Sequence, residues 1–300
     1  MEDGAISIEL TVLGSGSSGN ATLVSGGGAC VLIDTGLSYR ALRQTLGELG
    51  VEVEMLCAAL ITHAHVDHVR SAAMLSEKHG IPIYTTAATR AAWGNGVTKI
   101  TNWGRLSSGS PVSFGAMQFI PFGVCHDADD TIGFRIKTPD GAIGFATDVG
   151  QITEDLIAQF RGCRLLVLES NHDSELLRVS PYPPSLRSRI GGDDGHLSNE
   201  AVAAFVHDHL GAEVRCIVLA HLSRINNRPE IAELSCREAL SGVGRGDVRI
   251  VVAHRNRLTP TIDLACLSRP SEQPVVSRSG SCQTQLPFPD TEGPSIEVNG

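Results

Sequence analysis

The segment Thr62-His63-Ala64-His65-Val66-Asp67-His68 constrains this chain more than any other. It places four potential metal ligands within six residues, directly after the apolar run Cys57-Ala58-Ala59-Leu60-Ile61. Imidazole and carboxylate ligands suit zinc, manganese or iron, and a strand handing over to a loop aims several of them at one point. One loop cannot fill two coordination spheres, so further ligands are expected from elsewhere in the chain.

Several other apolar runs end in residues of the same kind. Residues 29–33 lead into Asp34, 142–146 toward Asp148, 165–168 into Glu169 and 215–220 into His221. Open α/β architectures bind ligands beyond such strand ends. Further strands are expected over 6–13, 21–25, 81–85, 97–100, 111–114, 117–122, 131–137 and 248–253, with His126 alone between two of them. Apolar spacing predicts helices over 39–49, 67–79, about 154–160, and from Ser198 to Gly211, where Ser198 is the cap and Glu200 sits near the positive end of the dipole. Gly14-Ser15-Gly16-Ser17-Ser18-Gly19-Asn20 reads as a hairpin connection with a polar tip. No Lys-Ser/Thr pair follows it, and the next residues read as a strand, so it is not a phosphate-binding loop of the usual kind. Residues 174–195 read as a long loop with Pro181, Pro183 and Pro184, bearing Arg178, Arg187 and Arg189.

Charge and composition narrow the classes. A net charge of -9 and a pI near 5.6 argue against a basic nucleic-acid coat and leave room for a local basic patch. The eight cysteines form no CxxC pair and read as reduced core thiols of a cytosolic protein. The acidic start Met1-Glu2-Asp3-Gly4 has no apolar h-region, and no apolar run approaches the roughly 20 residues that cross a bilayer. A soluble, cytoplasmic protein with no membrane partner is therefore expected. Residues 265–300, rich in Ser, Pro, Gln and Gly, are expected to form a disordered tail behind a folded domain over 1–264.

The loop from His63 to His68, together with Asp34, His126, Asp148 and His221 in that order, resembles the metallo-β-lactamase fold of metal-dependent hydrolases across residues 6–260. The resemblance implies an α/β protein, an αββα sandwich with two divalent metal ions, zinc or manganese, at the edge between its sheets. His63, His65 and His126 would hold one ion, Asp67, His68 and His221 the other, with Asp148 between them and Asp34 orienting a ligand by hydrogen bonding. A metal-bridging hydroxide would then attack the substrate.

Five further stretches are similar to the YycJ/WalJ-type branch: the Ser/Gly hairpin from Gly14 to Asn20, Glu169-Ser170-Asn171-His172-Asp173, Pro181-Tyr182-Pro183, Gly195-His196-Leu197-Ser198-Asn199, and His221-Leu222-Ser223-Arg224. That branch implies 5′-to-3′ DNA exonuclease activity. Asp67 and His196 are then the catalytic candidates, His196 as general acid. Ser17, Asn20, Asn171, Arg187, Arg189 and Ser198 are the candidates for substrate binding, with Arg178, Arg224 and Arg228 in flanking segments. Only 73 positions separate Asp148 from His221, too few for the inserted domain of larger relatives. Two other readings fit the same motifs: a hydrolase of a thioester or cyclic phosphodiester, and a metal-free scaffolding protein on this fold.

Overall fold

The computed structural model describes residues 7–267, and the tail expected over 265–300 lies from residue 268 onward outside the described residues. Ala265 to Leu267 still belong to the packed body, with Leu267 buried and its carbonyl accepting from Arg164.

The strands are β1 (Glu9–Gly14), β2 (Ala21–Gly26), β3 (Ala29–Ile33), β4 (Ala58–Leu60), β5 (Ile83–Thr85), β6 (Trp103–Arg105), β7 (Val112–Phe114), β8 (Met117–Gly123), β9 (Ile132–Thr138), β10 (Gly141–Ala146), β11 (Cys163–Glu169), β12 (Cys216–Ala220), β13 (Arg249–Val252) and β14 (Ile262–Asp263). They form two sheets, ordered β14-β1-β2-β3-β4-β5-β6 and β13-β12-β11-β10-β9-β8-β7. Each sheet is antiparallel in one half and parallel in the other: β3 to β6 run parallel in the first, and β10 to β13 in the second.

The helices are α1 (Tyr39–Glu48), α2 (Val66–Val69), α3 (Ala72–His79), α4 (Ala87–Ala92), α5 (Glu154–Phe160), α6 (Ser174–Arg178), α7 (Pro184–Ile190), α8 (Asn199–His209) and α9 (Pro229–Gly242). Three apolar clusters set the layers. One joins the two sheets face to face, through residues such as Leu10, Val31, Phe119, Phe134 and Val167. A second packs α5, α8 and α9 on the outer face of the second sheet, and a third packs α1 and α3 on the outer face of the first. The result is helix, sheet, sheet, helix, the expected αββα order. The parallel strands are buried on both faces, which is why β11 and β12 read as unbroken apolar runs rather than alternating ones.

Several local expectations need correction. The helix expected over 67–79 is two helices, α2 and α3. The backbone between them is taken over by the turn after β3: Thr35 N–H donates to the His68 carbonyl at 2.7 Å, and Ser71 N–H donates to the Thr35 carbonyl at 2.9 Å. The loop expected over 174–195 contains α6 and α7. Asp173 caps α6 by accepting from Leu176 N–H, and Pro184 starts α7 with a preset φ. Residues 97–100 lie in and just after a 3-10 turn, Gly94–Lys99, not a strand.

Candidate metal centre

The centre is built at the carboxyl ends of strands from both sheets, where the backbone turns sharply. Asp34, Asp148 and His221 follow β3, β10 and β12 with φ of 60°, 57° and 54°. Left-handed backbone at a residue with a Cβ costs roughly 1–2 kcal/mol and persists where the surroundings over-determine it. Each position is so held. Asp34 N–H donates to the Leu60 carbonyl at 2.8 Å, while its carboxylate accepts from Thr62 N–H at 2.9 Å. His221 N–H donates to Ser15 Oγ at 2.7 Å, and its carbonyl accepts from Asn171 Nδ2 at 2.8 Å. Beside Asp148, Val149 N–H donates to Glu169 Oε2 at 2.9 Å. Gly36 locks the turn after β3 onto the histidine loop, because a Cβ there would stand 1.5 Å from the Asp67 carbonyl oxygen.

His63, His68, His126 and His221 share one pattern: Nδ1 has a fixed partner behind the ring and Nε2 turns inward. His68 Nδ1–H donates to Asp34 Oδ2 at 2.7 Å, and His221 Nδ1–H to Glu169 Oε1 at 2.7 Å. His126 Nδ1–H donates to the Gly195 carbonyl at 3.1 Å, and His63 Nδ1 lies 3.0 Å from Thr62 Oγ1. This is how proteins fix the tautomer of metal-binding histidines. Inward, the Nε2 atoms of His63, His126 and His221 and Oδ2 of Asp148 are buried without a hydrogen-bond partner. Buried polar atoms left unpaired cost about 1–3 kcal/mol each, so their convergence on one small volume fits a cation.

Four overlapping groups of ligand atoms form among the described residues, and two of them share no residue with each other and carry the resemblance's sets. The nitrogens of His63, His65 and His126 lie within 4.8 Å of one another, as do the ligand atoms of Asp67, His68 and His221. Asp67 Oδ2 is 3.8 Å from Nε2 of both His68 and His221. Asp148 touches both groups: Oδ1 is 3.8 Å from His126 Nε2, and Oδ2 is 3.2 Å from His68 Nε2. The residues of the two sets named from the resemblance are thus brought together in space, and Asp34 Oδ2 lies 2.7 Å from His68 Nδ1.

The electrostatics follow from burial and crowding. Burial raises the Asp148 carboxyl, yet His221 and His68 carry it well below the usual carboxylate range. Burial and the neighbouring His68 push His63 well below the usual imidazole range. Burial also disfavours charge on His221, but Asp148, Asp67 and Glu169 outweigh it and raise the imidazole to about 10.

His196 lies beside the second group. Its Nδ1 donates to Glu169 Oε1 at 2.9 Å, which leaves Nε2 available to a bound group. Burial lowers its pKa, but the Glu169 carboxylate outweighs burial and the net shift is upward. Glu169 is fully buried and receives His196 and His221 on one oxygen and Val149 and Leu197 N–H on the other. Burial would raise its carboxyl; His196 and His221 hold it at about 2. The sequence marked Glu169 as a strand-end residue without assigning it a task. The missing signal was register: Glu169 pairs with Ala220, the residue before His221.

A cavity of about 160 Å³ opens over the centre, lined in part by His65, Asp67, Asp148, His196 and His221. Of the expected substrate-binding residues, Ser17, Asn171 and Arg189 line it. The other three have different surroundings. Asn20 sits behind it, with Nδ2 2.9 Å from His68 Nε2. Ser198 caps α8 by accepting from Ala201 N–H at 3.1 Å, and Arg187 donates to the Arg178 carbonyl at 2.8 Å. Arg189 is ion-paired to Asp127, whose other oxygen is 3.2 Å from His126 Nε2. Asp127 was not anticipated, although it directly follows His126.

Among the described residues, no helix is long and apolar enough to cross a membrane. The beta-lactamase superfamily domain matches residues 30–221. The chain is 32% identical over 241 residues to the exodeoxyribonuclease YycJ of Bacillus anthracis, covering 80% of this chain and 91% of that one. It is 31% identical over 266 residues to the exodeoxyribonuclease WalJ of Streptococcus pneumoniae, covering 86% and 99%. Among solved structures, the metallo-beta-lactamase fold protein YhfI from Bacillus subtilis superposes with a TM-score of 0.65 at 16% identity, over 84% of this chain and 98% of that one. By domain match and by identity along most of its length, the chain belongs to the beta-lactamase superfamily and, within it, to the family of YycJ and WalJ.

Proposed function

We propose that this chain is a metal-dependent phosphodiesterase, a 5′-to-3′ DNA exonuclease of the cytoplasm that uses two divalent ions, zinc or manganese. The observation that carries the reading is the pair of ligand groups joined by Asp148, with His196 held over the same cavity by a buried carboxylate. The relatives named as exodeoxyribonucleases supply the substrate class.

His63, His65 and His126 would hold one ion and Asp67, His68 and His221 the other, with Asp148 shared. When bound, two such ions would supply Lewis-acid activation of water and offset charge on the phosphate. The chain's own residues do the rest. Asp34 and Glu169 fix the His68 and His221 rings so that Nε2 faces inward. Asp67, with His68 and His221 around it, keeps a low pKa against the effect of burial and remains a carboxylate at neutral pH. His196, its Nδ1 held by Glu169, is placed to give a proton from Nε2 to a departing alkoxide. Ser17, Asn171 and Arg189 border the space where the flanking phosphate and sugar would lie.

The test is product analysis of 5′- and 3′-labelled single- and double-stranded DNA with added Mn²⁺ or Zn²⁺, wild type beside His65→Ala. Stepwise loss of nucleotides from the 5′ end, abolished in the variant, is expected. Turnover of a thioester or a cyclic phosphodiester with DNA left intact would overturn the reading.

A further inference from the structure

A second concavity, about 410 Å³, adjoins the metal cavity and shares Ser223 with it. Its lining includes Ser15, Arg224, Asn227, Arg228 and Arg255, with no carboxylate among the described residues that line it. We propose that this basic pocket is a phosphate subsite of the substrate strand, holding a phosphodiester group next to the one at the metals. The proposal rests on the nuclease reading and adds to it the place where a neighbouring phosphate is gripped.

The pocket exists because of sheet register. Strands β12 and β13 are parallel neighbours, with Leu219 paired to Val252, so the loops leaving their carboxyl ends emerge side by side. One loop carries His221 and then Arg224 and Arg228; the other carries His254 and Arg255. Ser15 ties both to the metal centre: its N–H donates to the His254 carbonyl at 3.1 Å, and its Oγ accepts from His221 N–H at 2.7 Å. Arg255 reaches over the Ser/Gly hairpin, since a Cβ on Gly16 would lie 4.0 Å from Arg255 Nε.

The charge pattern identifies the ligand class. Arg178, Arg189, Arg237 and Arg245 are each ion-paired to a carboxylate. Among the described residues, Arg224, Arg228 and Arg255 are in no ion pair, and the Arg228 guanidinium donates to the backbone carbonyls of Asn227 and Arg224. Three guanidinium groups in no ion pair around one concavity outweigh the single carboxylate close to it, Glu230 near His254, and make a local positive potential suited to an anion on a chain of net charge -9. Their planar forks match phosphate oxygens, and the Ser223 hydroxyl, whose oxygen accepts from Asn226 N–H, adds a neutral donor. The 14-residue helix α9 starts at Pro229 on the pocket rim and adds the positive end of its dipole.

The distinguishing experiment compares Arg224→Gln/Arg255→Gln with wild type on two substrates: end-labelled DNA, and bis(p-nitrophenyl) phosphate, which is too small to reach both cavities. Arg43→Gln/Arg90→Gln, on α1 and α4, serves as a charge-matched control. For the pocket variant, kcat/KM on DNA is expected to fall about 10- to 100-fold, mainly through KM, and the aryl ester rate to change less than about threefold. The slope of log affinity for DNA against log salt should become shallower by about 1.4–1.8, the value for two lost phosphate contacts. Loss on DNA no greater than in the control, or equal losses on both substrates, overturns the subsite alone. Wild type that hydrolyses the aryl ester but neither binds nor degrades DNA overturns the nuclease reading and the subsite with it.

Discussion

The two halves of the metal centre are built differently. The half formed by Asp67, His68 and His221 is deep: His68 and His221 are 0% and 3% exposed, and each is backed by a buried carboxylate, Asp34 or Glu169. The half formed by His63, His65 and His126 is shallow on one side. The His65 side chain is 38% exposed, and His126 rides on the connection between β8 and β9 with only a backbone carbonyl behind it. A carboxylate behind an imidazole raises ligand basicity and fixes the ring more firmly than a carbonyl does. The contrast predicts that an ion in the deep half would be held more tightly than one in the shallow half.

The largest test of that contrast acts on the residue the halves share. Asp148→Asn should cost on the order of 10³-fold in DNA turnover, the scale of losing a preorganised charge, and should weaken both metals together. Turnover within tenfold of wild type would remove Asp148 from its bridging place. Next in size, Asp34→Asn or Glu169→Gln should lower affinity in the deep half by about 10- to 100-fold while sparing the shallow half. Competition against a chromophoric chelator reads this; equal weakening of both ions would break the comparison. His65→Ala should do the reverse, leaving close to one tightly held ion by native mass spectrometry and releasing the other. Gly36→Ala forces a Cβ into the Asp67 carbonyl and should destabilise the fold by about 1–3 kcal/mol in chemical denaturation, with loss of affinity concentrated in the deep half. The smallest effect is expected at Arg189, whose guanidinium is spread between the cavity and Asp127. Arg189→Gln should raise KM for DNA a few-fold without moving the metal stoichiometry.

Much of this was legible in the chain, and the reason is local. The ligands His63, His65, Asp67 and His68 share one loop, and Asp34, Asp148 and His221 each close a run whose apolar character marks a buried strand. Strand ends are readable because the change from apolar to polar is written within a few residues. The break between α2 and α3 was not readable, because a turn more than 30 residues earlier captures the His68 carbonyl. The short helices inside 174–195 were hidden by their prolines, one of which starts a helix rather than preventing it. The helix α9 lies outside the expected elements although Ala232, Cys236 and Leu240 recur at helical spacing on its buried face, and β6 is only three residues long.

By itself the sequence determined which residues are available to hold ions and that they sit at strand ends, since ligand type and strand termination are both properties of short stretches. Only the tertiary structure decided how they are wired. It set Glu169 beside His221 so that one carboxylate orients both a ligand and the proton donor, placed Asp127 against His126 with Arg189 across it, and brought Arg255 next to Arg224. Those pairings depend on which strands lie side by side and in what register, and register is fixed by the packing of two whole sheets.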